Sequence, residues 1–323
     1  MQQVRWGIIG CGNVTELKSG PAFNKVGNST LLAVMRRDAT KAEDYAKRHS
    51  VPRWYSEALQ LINDPEVDAV YIATPPDSHK YYALQVAAAG KICCVEKPMA
   101  LNAAECQEII RAFEQKNLPL YVSYYRRSLP RFLQIKAWLD LQLIGEPRQV
   151  QWNFCRSPNT ADLAGHYNWR TDPAKAGGGY FIDLASHGLD LLLYLLGDVA
   201  DVRGFSQNQQ KLYAAEDAVS AVWQFQSGCL GCGFWNFGAA ERQDQVVIYG
   251  SKGRIEFSVF ENQPVSLFTA DQQLSLDIAH PENIQFYHIQ AMVDDLLHGR
   301  GHPSTGTTAA RASWMMEQIL GPS

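Results

Sequence analysis

Hydrophobic spacing divides this chain into two halves with different patterns. From Val4 to about residue 123, short apolar runs alternate with segments of helical periodicity. Val4–Ile9, Ser29–Met35, Val67–Ala73, Lys91–Val95 and Leu120–Tyr125 read as strands, because continuous apolar runs of this length suit a sheet buried on both faces. Ala39–His49 and Tyr81–Ala89 read as helices, Gly90 closes the second, and Asn102 is placed to cap another. Strand–helix alternation of this kind describes a doubly wound parallel sheet. After Tyr125 the pattern changes. Phe132–Leu143 is one more helix, and then Arg148–Phe154 alternates polar and apolar residues, as a sheet with one wet face requires. Strand-like segments follow near 201–207, 217–226, 229–237, 244–249 and 253–260, with Gly250–Gly253 as the turn between the last two. The predicted fold class is therefore α/β: a doubly wound domain over residues 1–123, then an α/β domain over 124–323 with a large, mostly antiparallel open sheet. A final helix over about 307–320 can pack on either.

Composition narrows the function classes. A chain of 323 residues with 46% hydrophobic content can bury two cores, and its net charge of −4 leaves no basic footprint for nucleic acid. The longest apolar run, Leu191–Leu196, falls far short of a membrane span. The first strand begins within a few residues of Met1, which leaves no room for a signal peptide. Seven cysteines without a secretory signal fit reduced thiols and a cytoplasmic setting. Cys229 and Cys232 have half the spacing of a zinc site, but residues three apart on a strand face opposite sides, so no metal is expected.

The chemistry gathers where strands end. Gly10-Cys11-Gly12 follows the first strand, and a Gly-x-Gly turn lets backbone approach a pyrophosphate. Thr15 stands where the dinucleotide fingerprint has its third glycine. The second strand runs into Arg36-Arg37-Asp38. An acid there would hold a ribose 2′-hydroxyl, whereas arginines accommodate a 2′-phosphate, so NADP(H) is expected ahead of NAD(H), with Asp38 the alternative acid. The third strand opens into a rigid loop, Thr74-Pro-Pro-Asp-Ser-His79. The fourth ends in Glu96-Lys97-Pro98, a charged pair at the ligand-binding end of a sheet, followed by a proline that forbids further pairing and is suited to a cis peptide.

The second half has its own polar line. Trp169-Arg170 leads through Asp172-Pro173 and a flexible Gly177-Gly-Gly179 into an apolar helix over Tyr180–Leu196, where Asp183, His187 and Asp190 recur at i, i+4 and i+7. A histidine aligned with two acids on such a helix is a candidate acid–base centre.

Taken together, these motifs resemble the Gfo/Idh/MocA family of glucose–fructose oxidoreductase and inositol dehydrogenase relatives, over nearly the whole chain. The resemblance implies an N-terminal Rossmann domain and an enzyme that passes a hydride between a nicotinamide cofactor and a hydroxyl- or carbonyl-bearing carbon of a sugar, cyclitol or related small molecule. It implies Lys97 as hydrogen-bond donor to the reacting oxygen, His187 as acid–base group and Asp183 as its partner or a substrate anchor. It assigns Gly10, Gly12, Asn13, Val14, Thr74, Pro75, His79 and Lys97 to the cofactor, beside Arg36 and Arg37 from the strand end, has Glu96 fix Lys97 or the nicotinamide ribose, and assigns Tyr125, Arg126, Trp169 and Arg170 to the substrate. Lys97, Asp183 and His187 are then expected to line one pocket in a cleft between the domains. It also implies homodimers or homotetramers paired through the C-terminal sheet. A non-catalytic dinucleotide sensor and a reductase of a non-sugar ketone or diol are the alternatives.

Overall fold

The computed structural model describes residues 2–321. The chain divides into two units. The first takes the residues up to Ser128 and then Pro281–Ala310; the second takes Leu129–His280 and the chain from Arg311 onward. The sequence reading broke the chain once, at 123/124; here it is shared out in four pieces.

Among the described residues, the first unit is built on six parallel strands: β1 (Val4–Ile9), β2 (Ser29–Met35), β3 (Arg53–Tyr55), β4 (Ala69–Ile72), β5 (Ile92–Val95) and β6 (Leu120–Val122), in the order β3-β2-β1-β4-β5-β6. Every residue of β4 is buried, as expected of a central strand with cover on both faces. The strand order reverses between β1 and β4, which is the switch point where ligands bind in such sheets. β3 was not predicted, because three residues at a sheet edge are too short to show a period. Asn102 caps its helix as expected, accepting from the Glu105 N–H at 2.8 Å, and the Lys97–Pro98 peptide is cis.

The return of Pro281–Ala310 has a packing cause. Helix Phe286–His298 places Ile289, Met292 and Val293 in the same buried cluster as Val4, Trp6, Ile8, Tyr71 and Cys94. Its leading residues are tied down as well, since Asn283 donates to the Leu17 carbonyl (2.6 Å) and the Gln285 N–H to that of Lys18 (3.1 Å).

The second unit carries, among the described residues, an eight-stranded sheet: β7 (Pro147–Cys155), β8 (Val199–Gln207), β9 (Ala218–Phe225), β10 (Leu230–Asn236), β11 (Gln243–Gly250), β12 (Gly253–Phe257), β13 (Val265–Thr269) and β14 (Gln273–Leu276). Its order is β14-β13-β12-β11-β7-β10-β9-β8, antiparallel except for the β7–β10 pair. On the inner face Trp152 meets Trp235 edge-on, with ring centres 5.4 Å apart, and Phe181 packs on Trp235 at 5.1 Å. The outer face leaves Phe205, Val222, Leu230 and Phe234 exposed. The last helix, Gly306–Leu320, counts with the first unit up to Ala310 and with the second from Arg311, where Arg311 pairs with Asp198. No helix among the described residues is long and apolar enough to cross a membrane.

Two histidines of the returning segment are buried in the first unit, His288 and His302, with rings 4.7 Å apart. Burial drives His288 well below its ordinary range and pushes His302 down to about 4. Groups held neutral in the fold but free to protonate once unfolded stabilise the protein fully above about pH 6.5, and that stability fades as pH falls toward about 4. Thermal unfolding should therefore show a midpoint that drops between pH 7 and 4.5, with a shallower slope in His302→Gln. An unchanged slope would remove His302 from the account.

Candidate functional site

In the first unit, the candidate cofactor residues gather at the carboxyl end of the parallel sheet. β1 ends into Gly10, whose φ is +90° and whose N–H donates to the Met35 carbonyl at 2.9 Å. A Cβ at Gly10 would lie 2.8 Å from the Thr74 methyl, so only glycine allows the turn to rest on the loop after β4. Gly12 differs. A Cβ there would meet nothing nearer than 3.8 Å, so the packing of this chain does not demand glycine, and the bare backbone is left open to a ligand. Thr15, at the third fingerprint position, is buried and donates its hydroxyl to the Gly12 carbonyl at 2.9 Å, bracing the turn.

Half-buried Arg36 donates to the Cys11 carbonyl at 3.3 Å, which sets its guanidinium beside the glycine turn; Arg37 is exposed. Asp38 is occupied elsewhere. Its carboxylate caps helix Ala39–Arg48 by accepting from the Lys41 N–H at 3.2 Å and pairs with the Lys41 ammonium at 3.3 Å. Asn13 is exposed, and Val14, Thr74 and Pro75 are half-buried, so all four present surface to a ligand. With an open glycine turn at the switch point and cations at the end of β2, these residues fit a dinucleotide.

Lys97 is half-buried just past β5 and stands on a built support. The Glu96 carboxylate, 7% exposed, accepts from the Tyr71 hydroxyl (2.5 Å), the Gln285 amide (2.7 Å) and the Lys97 N–H (3.1 Å). Burial first, and then the Glu96 charge, push the Tyr71 phenol far above its usual range, so it stays a donor. Glu96, expected to fix Lys97 or to hold the nicotinamide ribose, faces inward and fixes the backbone of Lys97. His79 departs from expectation. It is 0% exposed, with both ring nitrogens turned to backbone carbonyls, and so presents no surface to a cofactor. Gln285 was missed, because a contact spanning 189 residues leaves no local signal.

In the second unit, Trp169, Arg170 and Asp183 come together. Arg170 lies over the Trp169 ring at 4.3 Å and pairs with the Asp183 carboxylate at 3.4 Å. With Arg170 exposed, the pair contributes ~0.2–1 kcal/mol at most, so its effect is orientation rather than stability. Asp183 lies in a π turn over Phe181–Ala185 that precedes the α-helix Ser186–Leu196, so the expected regular helical line is interrupted between it and His187. Such turns concentrate at functional sites. His187 is buried, its ring edge-on to Phe260 at 5.9 Å, and Asp190 is completely buried beyond it. Phe260 is held in turn by Asp244, which accepts from the Phe260 N–H (2.6 Å), the Ser258 hydroxyl (2.5 Å) and the Trp152 indole (3.0 Å). This anchor also ends the strand expected over 253–260 at Phe257.

The glycine run before this helix is a packing device and not the flexible hinge its composition suggested. A Cβ on Gly178 would lie 2.5 Å from Ile182, and one on Gly179 would lie 2.7 Å from the Glu216 carbonyl. The Glu216 carboxylate accepts from the Gly179 N–H at 2.9 Å, and burial raises its pKa against that pull. Tyr125 and Arg126, expected at the substrate, are largely buried in a 3₁₀ turn over Tyr125–Ser128, the guanidinium 4.9 Å from the Tyr125 ring.

Known proteins agree with this architecture. Residues 4–124 match the oxidoreductase family with NAD-binding Rossmann fold, and residues 132–256 match the GFO/IDH/MocA C-terminal domain. Oxidoreductase P35 of Formosa agariphila is 39% identical over 323 residues, covering 99% of either chain. Trans-1,2-dihydrobenzene-1,2-diol dehydrogenase of Sus scrofa is 30% identical over 77% of this chain and 72% of its own. A levoglucosan dehydrogenase solved with NADH superposes with a TM-score of 0.89 at 20% identity, over 98% of this chain and 96% of that one. With both halves matched and a full-length relative at this identity, the chain belongs to the Gfo/Idh/MocA family of NAD-binding oxidoreductases.

Proposed function

We propose that the protein is a dehydrogenase or reductase that prefers NADP(H), with NAD(H) as the weaker cofactor, and acts at a carbon bearing a hydroxyl or carbonyl group of a sugar, cyclitol or related polyol. The observation that carries this reading is Lys97, half-buried on the Glu96 support, at the same sheet end as the open glycine turn and Arg36. The nicotinamide supplies the hydride chemistry when bound. Gly10, Gly12, Asn13, Val14, Thr74 and Pro75 would cradle the dinucleotide, and Arg36 with Arg37 would take the 2′-phosphate. Lys97 would donate a hydrogen bond to the reacting oxygen, His187 would exchange its proton, and Asp183, steadied by Arg170, would hold a neighbouring hydroxyl or the imidazole. A second reading, a vicinal diol on a carbocyclic ring, is favoured by the likeness to the porcine dihydrodiol dehydrogenase. A panel of sugars, cyclitols and ring diols, followed by cofactor absorbance, separates the two. We further propose that a second copy of the chain covers the outer face of the large sheet, because Phe205 and Phe234 flank Ser220 on one row of that face and monomers rarely leave contiguous apolar patches exposed.

Titration with both cofactors should give tighter binding of NADPH, since each charge-assisted contact to the 2′-phosphate contributes ~1.5–3 kcal/mol. Arg36→Asp should reverse the order, and equal or tighter NADH binding by the unaltered protein sinks the preference. Lys97→Ala and His187→Ala should each keep cofactor binding and lose at least ~10²-fold in kcat; normal turnover in either variant would clear that residue of its role. Light scattering should report a dimer or tetramer that Phe205→Glu combined with Phe234→Glu reduces to monomers, and an unaltered mass would place the contact elsewhere.

A further inference from the structure

His79 serves neither as a cofactor contact nor as an acid or base exposed to substrate, because its ring is fully buried. Its two nitrogens reach different loops. Nδ1 lies 2.9 Å from the Pro98 carbonyl, one peptide past Lys97, and Nε2 lies 2.7 Å from the Thr74 carbonyl. Each loop is fixed further. Thr74 is the residue on which the Gly10 turn rests, and the Ser78 hydroxyl closes the same loop by donating to Thr74 Oγ1 (2.8 Å) and the Pro75 carbonyl (2.9 Å). Pro98 follows the residue whose N–H is held by Glu96. The imidazole therefore spans the ends of β4 and β5, between the turn assigned to the dinucleotide and the lysine assigned to the reacting oxygen. The neutral ring that burial favours donates its one N–H to one of these carbonyls and packs its other nitrogen against the second loop. A hydrophobic side chain would fill the space but satisfy neither carbonyl, and a shorter polar one would reach only one loop.

Resting on the reading of Lys97 as the donor to the reacting oxygen, we propose that His79 is a positioning residue for Lys97, setting the lysine's place relative to the Thr74 loop. Displacement of a reacting group by about 1 Å costs on the order of 10²-fold in rate, so losing this tie should appear in kcat before it appears in binding.

The test compares wild type, His79→Phe, His79→Asn and Lys97→Ala on whichever panel substrate the wild type turns over. Cofactor-binding stoichiometry counts the folded sites, and kcat is expressed per site. His79→Phe keeps the ring and loses both nitrogens; it should bind one cofactor per chain, keep the substrate KM within about 3-fold and lose about 10- to 100-fold in kcat. His79→Asn, which keeps an N–H donor on a shorter arm, should lie between. Should the phenylalanine variant not fold, the asparagine variant decides alone. Wild-type kcat per site in a folded variant overturns the proposal, as does a variant whose whole defect is lost cofactor binding. Lys97→Ala keeps the two readings apart: if it turns over normally, the role of Lys97 fails, whereas a dead Lys97→Ala beside a fully active His79→Phe removes only the role of His79.

Discussion

A buried carboxylate with three donors holds the end of β5. Glu96 takes the Tyr71 hydroxyl, the Gln285 amide and the Lys97 N–H, and a charge so enclosed persists only where its lone pairs are filled. Loss of one partner from such a set costs ~1–3 kcal/mol, because the others are left facing an under-solvated anion. The geometry of the lysine is thus inherited from a strand (Tyr71 of β4), a turn (Glu96) and a segment nearly two hundred residues away (Gln285). The glycine turn, the Thr74 loop and His79 are arranged around the same sheet end.

Much of this was legible in the sequence, for physical reasons that differ from element to element. Parallel strands buried on both faces appear as unbroken apolar runs, so β1, β2, β4 and β5 were plain, and β7 showed its one wet face by alternation. Gly10 was legible because a positive φ beside another loop admits little else. What could not be read is what depends on distant partners. His79 has the composition of a ligand contact but is turned inward to two carbonyls, and the partners that hold Glu96, Tyr71 and Gln285, lie far along the chain. Gly177–Gly179 has the composition of a hinge, yet Ile182 and Glu216 press against it. Composition reports which residues are able to move or bind, and packing decides whether they do.

The second unit shows the same division. Asp183 and His187 were singled out by their spacing, but the π turn that separates their local geometries leaves no mark in a hydrophobic pattern. Asp244 was equally hidden, although it gathers the Trp152 indole, the Ser258 hydroxyl and the Phe260 N–H and so shapes the wall against which the His187 ring lies.

The return of Pro281–Ala310 to the first unit bears on biosynthesis. A ribosome releases the six parallel strands early, yet Ile289, Met292 and Val293 of their core, and the amide that quiets Glu96, emerge only after Leu129–His280 has been made. The nascent sheet must therefore wait with apolar surface uncovered and a carboxylate lacking one donor while about 150 further residues are added, some 8–30 s at ordinary elongation rates. During that interval the N-terminal segment exposes surface of the kind that chaperones bind, and its completion is coupled to synthesis of nearly the entire chain.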